Sequence, residues 1–224
     1  MKALRVFSGL AAALLLTVFS YFYLDVPVAV FFHHLAMSDA MLRRYTSHIP
    51  DLLFPIALMI TVFCWTVLLV WAPKGIHGAH ARFLQLCGVS VPLAYAAKCV
   101  LQHVFGRVDP RVWIYHHWLA GFHWFHDGAG FASFPSGHMT VFAALAAVLW
   151  RHYPRYRIVY GIGAVALGVA LVATDYHFVS DVVSGAYLGI MVCYVCDAVL
   201  VAVAGPYRDP GPAVAPGPAV RIGR

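Results

Sequence analysis

The sequence predicts an all-α polytopic membrane protein, a bundle of about six transmembrane helices. Three observations carry that expectation. Hydrophobic residues make up 62% of the 224 and charged residues only 11%, with a mean hydropathy of +0.78, a balance too apolar for a soluble domain. Runs approaching the about 20 apolar residues needed to cross a bilayer recur at 6–24, 53–72, 83–102, 138–152, 157–174 and 180–204, the fourth of them short. The basic residues are also asymmetric. With the N-terminus cytoplasmic, ten of the 15 Lys and Arg fall on that side, Arg151, Arg155 and Arg157 among them, and seven of the nine acids fall on the other. The positive-inside rule therefore places both termini in the cytoplasm. The net charge of +6 reads as a topology signal, and nucleic acid is not an expected partner.

The first run follows Lys2 and Arg5 and resembles a secretory signal at its start, but it continues through Phe22 with no small-residue cleavage site, so it is read as a span. The second and third runs are plain apolar segments. A long connection from about 103 to 135 follows. Its VWIYHHWLAGFHWFHDGAGF is too aromatic for a disordered loop, so it is expected to fold over the outer membrane face. The fourth run opens at Pro135-Ser136-Gly137-His138, and the short turn RHYPRYR leads to the fifth. Residues 1–205 thus form one transmembrane domain. Residues 206–224, rich in Pro and Gly without apolar periodicity, are read as a disordered cytoplasmic tail. All five cysteines lie inside predicted spans, where they serve as small apolar residues and no disulfide framework follows.

Two clusters carry chemistry. Ser136 as a helix N-cap would put Gly137 and His138 in the first turn, where unpaired backbone N–H groups and the helix dipole favour an anion. At the outer junction of the fifth and sixth runs, TDYHFVSDVVSGAYLG sets His177 and Asp181 four residues apart, on one face of a helix. Asp181 is expected to accept a hydrogen bond from one imidazole nitrogen and leave the other lone pair for nucleophilic attack. Both histidines would emerge on the outer side, facing across one pocket, one attacking phosphorus and the other protonating the leaving oxygen.

These residues resemble the second and third motifs of the type 2 phosphatidic acid phosphatase family, which shares its site with the vanadium haloperoxidases. The resemblance covers roughly residues 83 to 200. It implies a phosphohistidine mechanism without metal or other cofactor: His177 the nucleophile, Asp181 its orienter, His138 the acid, and Ser136 and Gly137 in the phosphate cradle. The first motif departs from the family pattern of Lys, six residues, then Arg-Pro. Aligned on Pro110, that pattern puts Gln102 where the Lys should be and Asp109 where the Arg should be. Lys98, one helical turn before Gln102, together with Arg107 and Arg111 flanking Asp109, are the candidate replacements for the lost charge. The third motif lacks its leading Ser-Arg, with Ala170 and Leu171 in those places.

The reading is a lipid phosphate or pyrophosphate phosphatase on the periplasmic face of a bacterial inner membrane, with membrane lipids as its other partners. Polyprenyl pyrophosphate, phosphatidic acid, phosphatidylglycerophosphate and lipid A phosphates are the substrate candidates. A lipid phosphotransferase of the same family and a catalytically weak lipid-phosphate binder are the alternatives. His116, His117, His123 and His126 offer a rival metal constellation, but the interleaved Trp113, Trp118 and Trp124 read as an interfacial aromatic layer.

Overall fold

The computed structural model describes residues 2–36, 52–71, 78–117, 121–126, 128 and 130–205. The described residues are helical throughout their spans: α1 (Lys2–Phe19), a π-helical turn at Ser20–Leu24, α2 (Asp25–Ala36), α3 (Leu53–Trp71), α4 (Ala79–Phe105), the short α5 (Pro110–Tyr115), α6 (Gly137–His152), a 3₁₀ turn at Pro154–Tyr156, α7 (Arg157–Ala173) and α8 (Val179–Ala204). Among the described residues, five helical stretches are long and apolar enough to cross a membrane, at Ser8–Leu35, Leu53–Val70, Ala79–Phe105, Pro154–Ala173 and Val179–Val203. Large apolar side chains such as Leu15, Phe22, Met59, Leu69 and Val165 face outward. A bilayer, unlike water, accepts such a surface. This is an all-α integral membrane protein.

The sixth helix, α6, has 16 residues and at 1.5 Å per residue reaches about 24 Å, less than the roughly 30 Å of a hydrocarbon core. It packs most extensively against α8 and also against α4 and α7. Gly185 and Gly189 on α8 permit that approach. A Cβ on Gly185 would sit 2.6 Å from the Ser136 carbonyl oxygen, and one on Gly189 would run into the carbonyl of Thr140. Small residues four apart let backbones meet in this way where lipid provides no hydrophobic drive. Below them, Cys87 and Ala94 of α4, Ala144 and Val148 of α6, and Cys193 and Cys196 of α8 share one core with Cys64 and Leu68 of α3. The cysteines are unbridged, four of them buried and Cys99 exposed.

One boundary differs markedly from the sequence expectation. The first span does not end near residue 24 but continues through α2 to Ala36. The physical reason is Asp25, which lies inside the bundle and is matched there by Arg107 and Ser180, so its charge does not force the helix to end. The aromatic connection after α4 is folded, as expected. Gly106 caps α4 at φ 52°, and Phe105, Phe122, Trp124 and Phe134 stack into one layer over the helix end. Residues 206–224, read as a tail, lie outside the described residues.

Candidate active site

The site is built where α6 and α8 begin. Ser136 caps α6, its Oγ accepting from the Met139 N–H at 3.4 Å, and its own N–H donates to the Asp181 carbonyl at 3.0 Å. That bond ties the two helix starts together. A cavity of about 280 Å³ opens beside them, lined by Lys98, Gln102, Asp109, Arg111, Gly137, His138, Asp175 and His177 among others. The His138 and His177 rings face each other across it at 6.2 Å between centroids, as the topology of the two hairpins led us to expect.

His177 is buried, and burial together with the neighbouring His138 lowers its pKa to about 3. The imidazole is therefore neutral at ordinary pH. Its tautomer is fixed by the backbone: Nδ1 lies 3.0 Å from the Ser133 carbonyl oxygen, which can only accept, so Nδ1 carries the hydrogen and the lone pair is on Nε2. Here the expectation for Asp181 is corrected. Its nearer oxygen stands 3.9 Å from His177 Nδ1 because both carboxylate oxygens have closer partners. Oδ2 accepts from Ser133 Oγ at 2.6 Å and from the Phe178 N–H at 2.9 Å, and Oδ1 accepts from Arg107. Asp181 thus holds the residue whose carbonyl holds His177.

Arg107 is the second correction. The sequence reading put it on the phosphate, but its guanidinium is buried and committed to Asp25 at 2.7 Å, to Asp181 and to Ser180, and it does not line the cavity. Two carboxylates against one guanidinium in the interior hold its charge there and turn it away from the cavity. Lys98 and Arg111, by contrast, both line the cavity. Lys98 donates to Gln102 Oε1 at 3.1 Å, and the other end of the same amide donates to the Pro135 carbonyl at 3.0 Å. Gln102 therefore anchors the turn before His138. Gly137 lines the cavity as well, and a Cβ there would meet Lys98 Cδ at 3.1 Å, so the glycine also makes room for the lysine stem. Arg111 donates to the Thr174 carbonyl at 2.9 Å and lies over the Tyr176 ring at 3.8 Å. Asp109, also on the cavity wall, is pushed up to about 7 by burial.

Sequence reasoning missed Ser133 and Asp25. Ser133 lies three residues before Ser136 in a segment with no periodicity to place it. Asp25 had a signal, a lone acid at the edge of an apolar run, which in membrane segments marks a paired functional group. Of the four loop histidines, His123 and His126 pack beside each other on Phe131, and His117 packs on Trp113. Among the described residues no group of three or more His, Cys, Asp or Glu is placed to hold a metal ion.

The sequence pattern of the PAP2 superfamily matches residues 83–202, more than half of the chain and all of the site just described except Asp25. The chain belongs to that superfamily. Two lipid A 1-phosphatases, from Rhizobium etli and Rhizobium johnstonii, are 34% and 33% identical to it over 90 residues, 40% of this chain in each case. The matched stretch spans 38% and 36% of those relatives' own lengths. A crystal structure of the first transmembrane PAP2 type phosphatidylglycerolphosphate phosphatase, from Bacillus subtilis, aligns over 84% of this chain and 97% of its own at 20% identity, with a TM-score of 0.33. Leu171, where the family resemblance calls for Arg, packs with Met139 and Tyr176, and Arg111 lies over that same Tyr176 ring.

Proposed function

We propose that the chain is an integral membrane lipid phosphate or pyrophosphate phosphatase working through a phosphohistidine. The observation that carries this is the pair His138 and His177, 6.2 Å apart across a cavity that also holds Lys98 and Arg111. His177 Nε2 attacks phosphorus, the bond from phosphorus to the lipid oxygen breaks, and protonated His138 gives its proton to that oxygen. Water then attacks the phosphohistidine, neutral His138 accepts a proton from it, and phosphate leaves with His177 restored. Lys98, Arg111 and the N–H groups that open α6 would carry the negative charge of the equatorial oxygens. Asp181 is a positioning residue in this scheme, acting through Ser133.

The family membership supports phosphoryl chemistry, and the Rhizobium relatives make a lipid A 1-phosphate the first substrate to try. The charge asymmetry supports an orientation with both termini cytoplasmic and the cavity on the outer, periplasmic face of an inner membrane. The test is phosphate release by the purified protein in detergent with EDTA present. The panel comprises a lipid A 1-phosphate, phosphatidic acid, phosphatidylglycerophosphate and undecaprenyl pyrophosphate, and His177→Ala is run alongside. Release that survives the chelator and is lost in the variant is expected, with an acid-labile phosphoprotein trapped on denaturation of the wild type. Undiminished release by His177→Ala would overturn the reading.

A further inference from the structure

A second cavity lies away from the site. It is a wedge of about 560 Å³ between α6, α7 and α8, and its lining includes Trp150 and Arg151 at the C-terminal end of α6 and Arg157 at the start of α7. It therefore opens at the end of the bundle opposite His138. Two glycines seven residues apart on one face of α7 account for its shape. A Cβ on Gly168 would meet Val182 Cγ1 at 3.1 Å and Met139 Cε at 3.4 Å, whereas one on Gly161 would meet nothing within 4 Å. The helix is thus seated tightly near the site and stands away from its neighbours two turns further on. The wedge shares no lining residue with the catalytic cavity.

The wedge is amphipathic in the sense a lipid requires. Its apolar wall is Ala143, Ala147, Ala164 and the more exposed Ile190. Its rim carries Arg157, which donates to the Trp150 carbonyl at 3.5 Å and lies over that indole at 5.5 Å. Arg151, also on the rim, pairs with Asp197 at 2.7 Å, and that carboxylate already faces Arg82 at 3.8 Å. Arg151 and Arg157 line the wedge while the one neighbouring acid is shared between Arg151 and Arg82, so the rim is net positive. Tyr194 and Trp150, 57% and 45% exposed, put the mouth on the outer surface of the bundle, facing the bilayer.

We propose that this wedge binds one anionic phospholipid of the surrounding leaflet, an acyl chain lying along Ala147, Ala164 and Ile190 and the phosphodiester at Arg157. The volume is within the about 300 to 1,000 Å³ of ordinary small-molecule sites, and basic pockets between spanning helices at a membrane face recognise anionic head groups. The site is separate from the phosphatase reading and does not depend on it.

The test is native mass spectrometry of the full chain released from uncharged detergent, titrated with phosphatidylglycerol or phosphatidylcholine of identical acyl chains. The wild type is expected to retain phosphatidylglycerol about fivefold more tightly than phosphatidylcholine, the preference one basic residue near a lipid phosphate gives. Arg157→Gln should bring the two lipids together, and Gly161→Leu, which fills the wedge, should lose both. Equal affinity for the two lipids in the wild type would overturn the proposal, as would an unchanged preference in Arg157→Gln. Adducts that persist in Gly161→Leu would place the lipid elsewhere, the catalytic cavity included. Arg157 is on the surface, so its variant keeps the test decisive should the leucine variant fold poorly.

Discussion

The Ser133 carbonyl oxygen lies 3.0 Å from His177 Nδ1, and the hydroxyl of the same serine lies 2.6 Å from Asp181 Oδ2. One residue thus couples the acid to the nucleophile by presenting its two polar ends to them. Ser133→Ala keeps the carbonyl but releases it from the carboxylate. Losing a hydrogen bond to a charged group costs about 1.5 to 3 kcal/mol, so kcat should fall roughly 10- to 100-fold with KM little changed. Ser133→Thr should restore most of it. A change confined to KM would count against positioning.

His138 is predicted to act on the leaving group. His138→Gln should lower phosphate release from a lipid phosphate by about 10² to 10⁴, the usual worth of a placed general acid. In the first step, read as the pre-steady-state burst of leaving group, the loss should shrink toward nothing with p-nitrophenyl phosphate, whose leaving oxygen needs no proton. An equal loss on both substrates would assign His138 to phosphate binding instead.

Arg107 is predicted to matter for the fold before it matters for the substrate. Arg107→Met leaves Asp25 and Asp181 facing each other in the interior, and removing one partner of a buried ion pair typically costs about 3 to 5 kcal/mol. Asp25→Asn leaves Arg107 opposite Asp181 and should cost less. Thermal unfolding in detergent distinguishes the two. An Arg107→Met protein of wild-type stability with a raised KM would return Arg107 to the phosphate.

The pH dependence of stability should contain two opposed contributions. His177 has its folded pKa lowered to about 3 from an ordinary 6.5, so the unfolded chain binds more protons between those values, and stability falls as pH drops from about 6.5 toward 3. Asp109 is raised to about 7, so its contribution has the other sign: stability is fully present below about pH 4 and is lost as pH rises through 7. Asp109→Asn should therefore raise the melting temperature relative to wild type at pH 8 and change it little at pH 5. The same difference at both pH values would show that Asp109 does not titrate there.

Much of this protein follows from its sequence. The apolar runs determine the spanning helices, because a bilayer leaves a backbone no alternative to internal hydrogen bonding. Ser136 before Gly137-His138, and His177 four residues before Asp181, mark where two of those helices start, because caps and helical spacing are local properties. The roles of charged and polar groups were decided only by the tertiary structure. Arg107 and Arg111 look equivalent in the sequence, four residues apart at the end of one span, yet one is consumed by Asp25 and Asp181 and the other lines the cavity. Asp25 is 82 residues from its partner Arg107, and Ser133 is 48 from Asp181. Which acid reaches which donor depends on how α2, α4 and α8 converge, and buried polar groups pair with whatever that convergence brings within reach. Local pattern placed the helices and the two histidines, and packing chose what holds them in position.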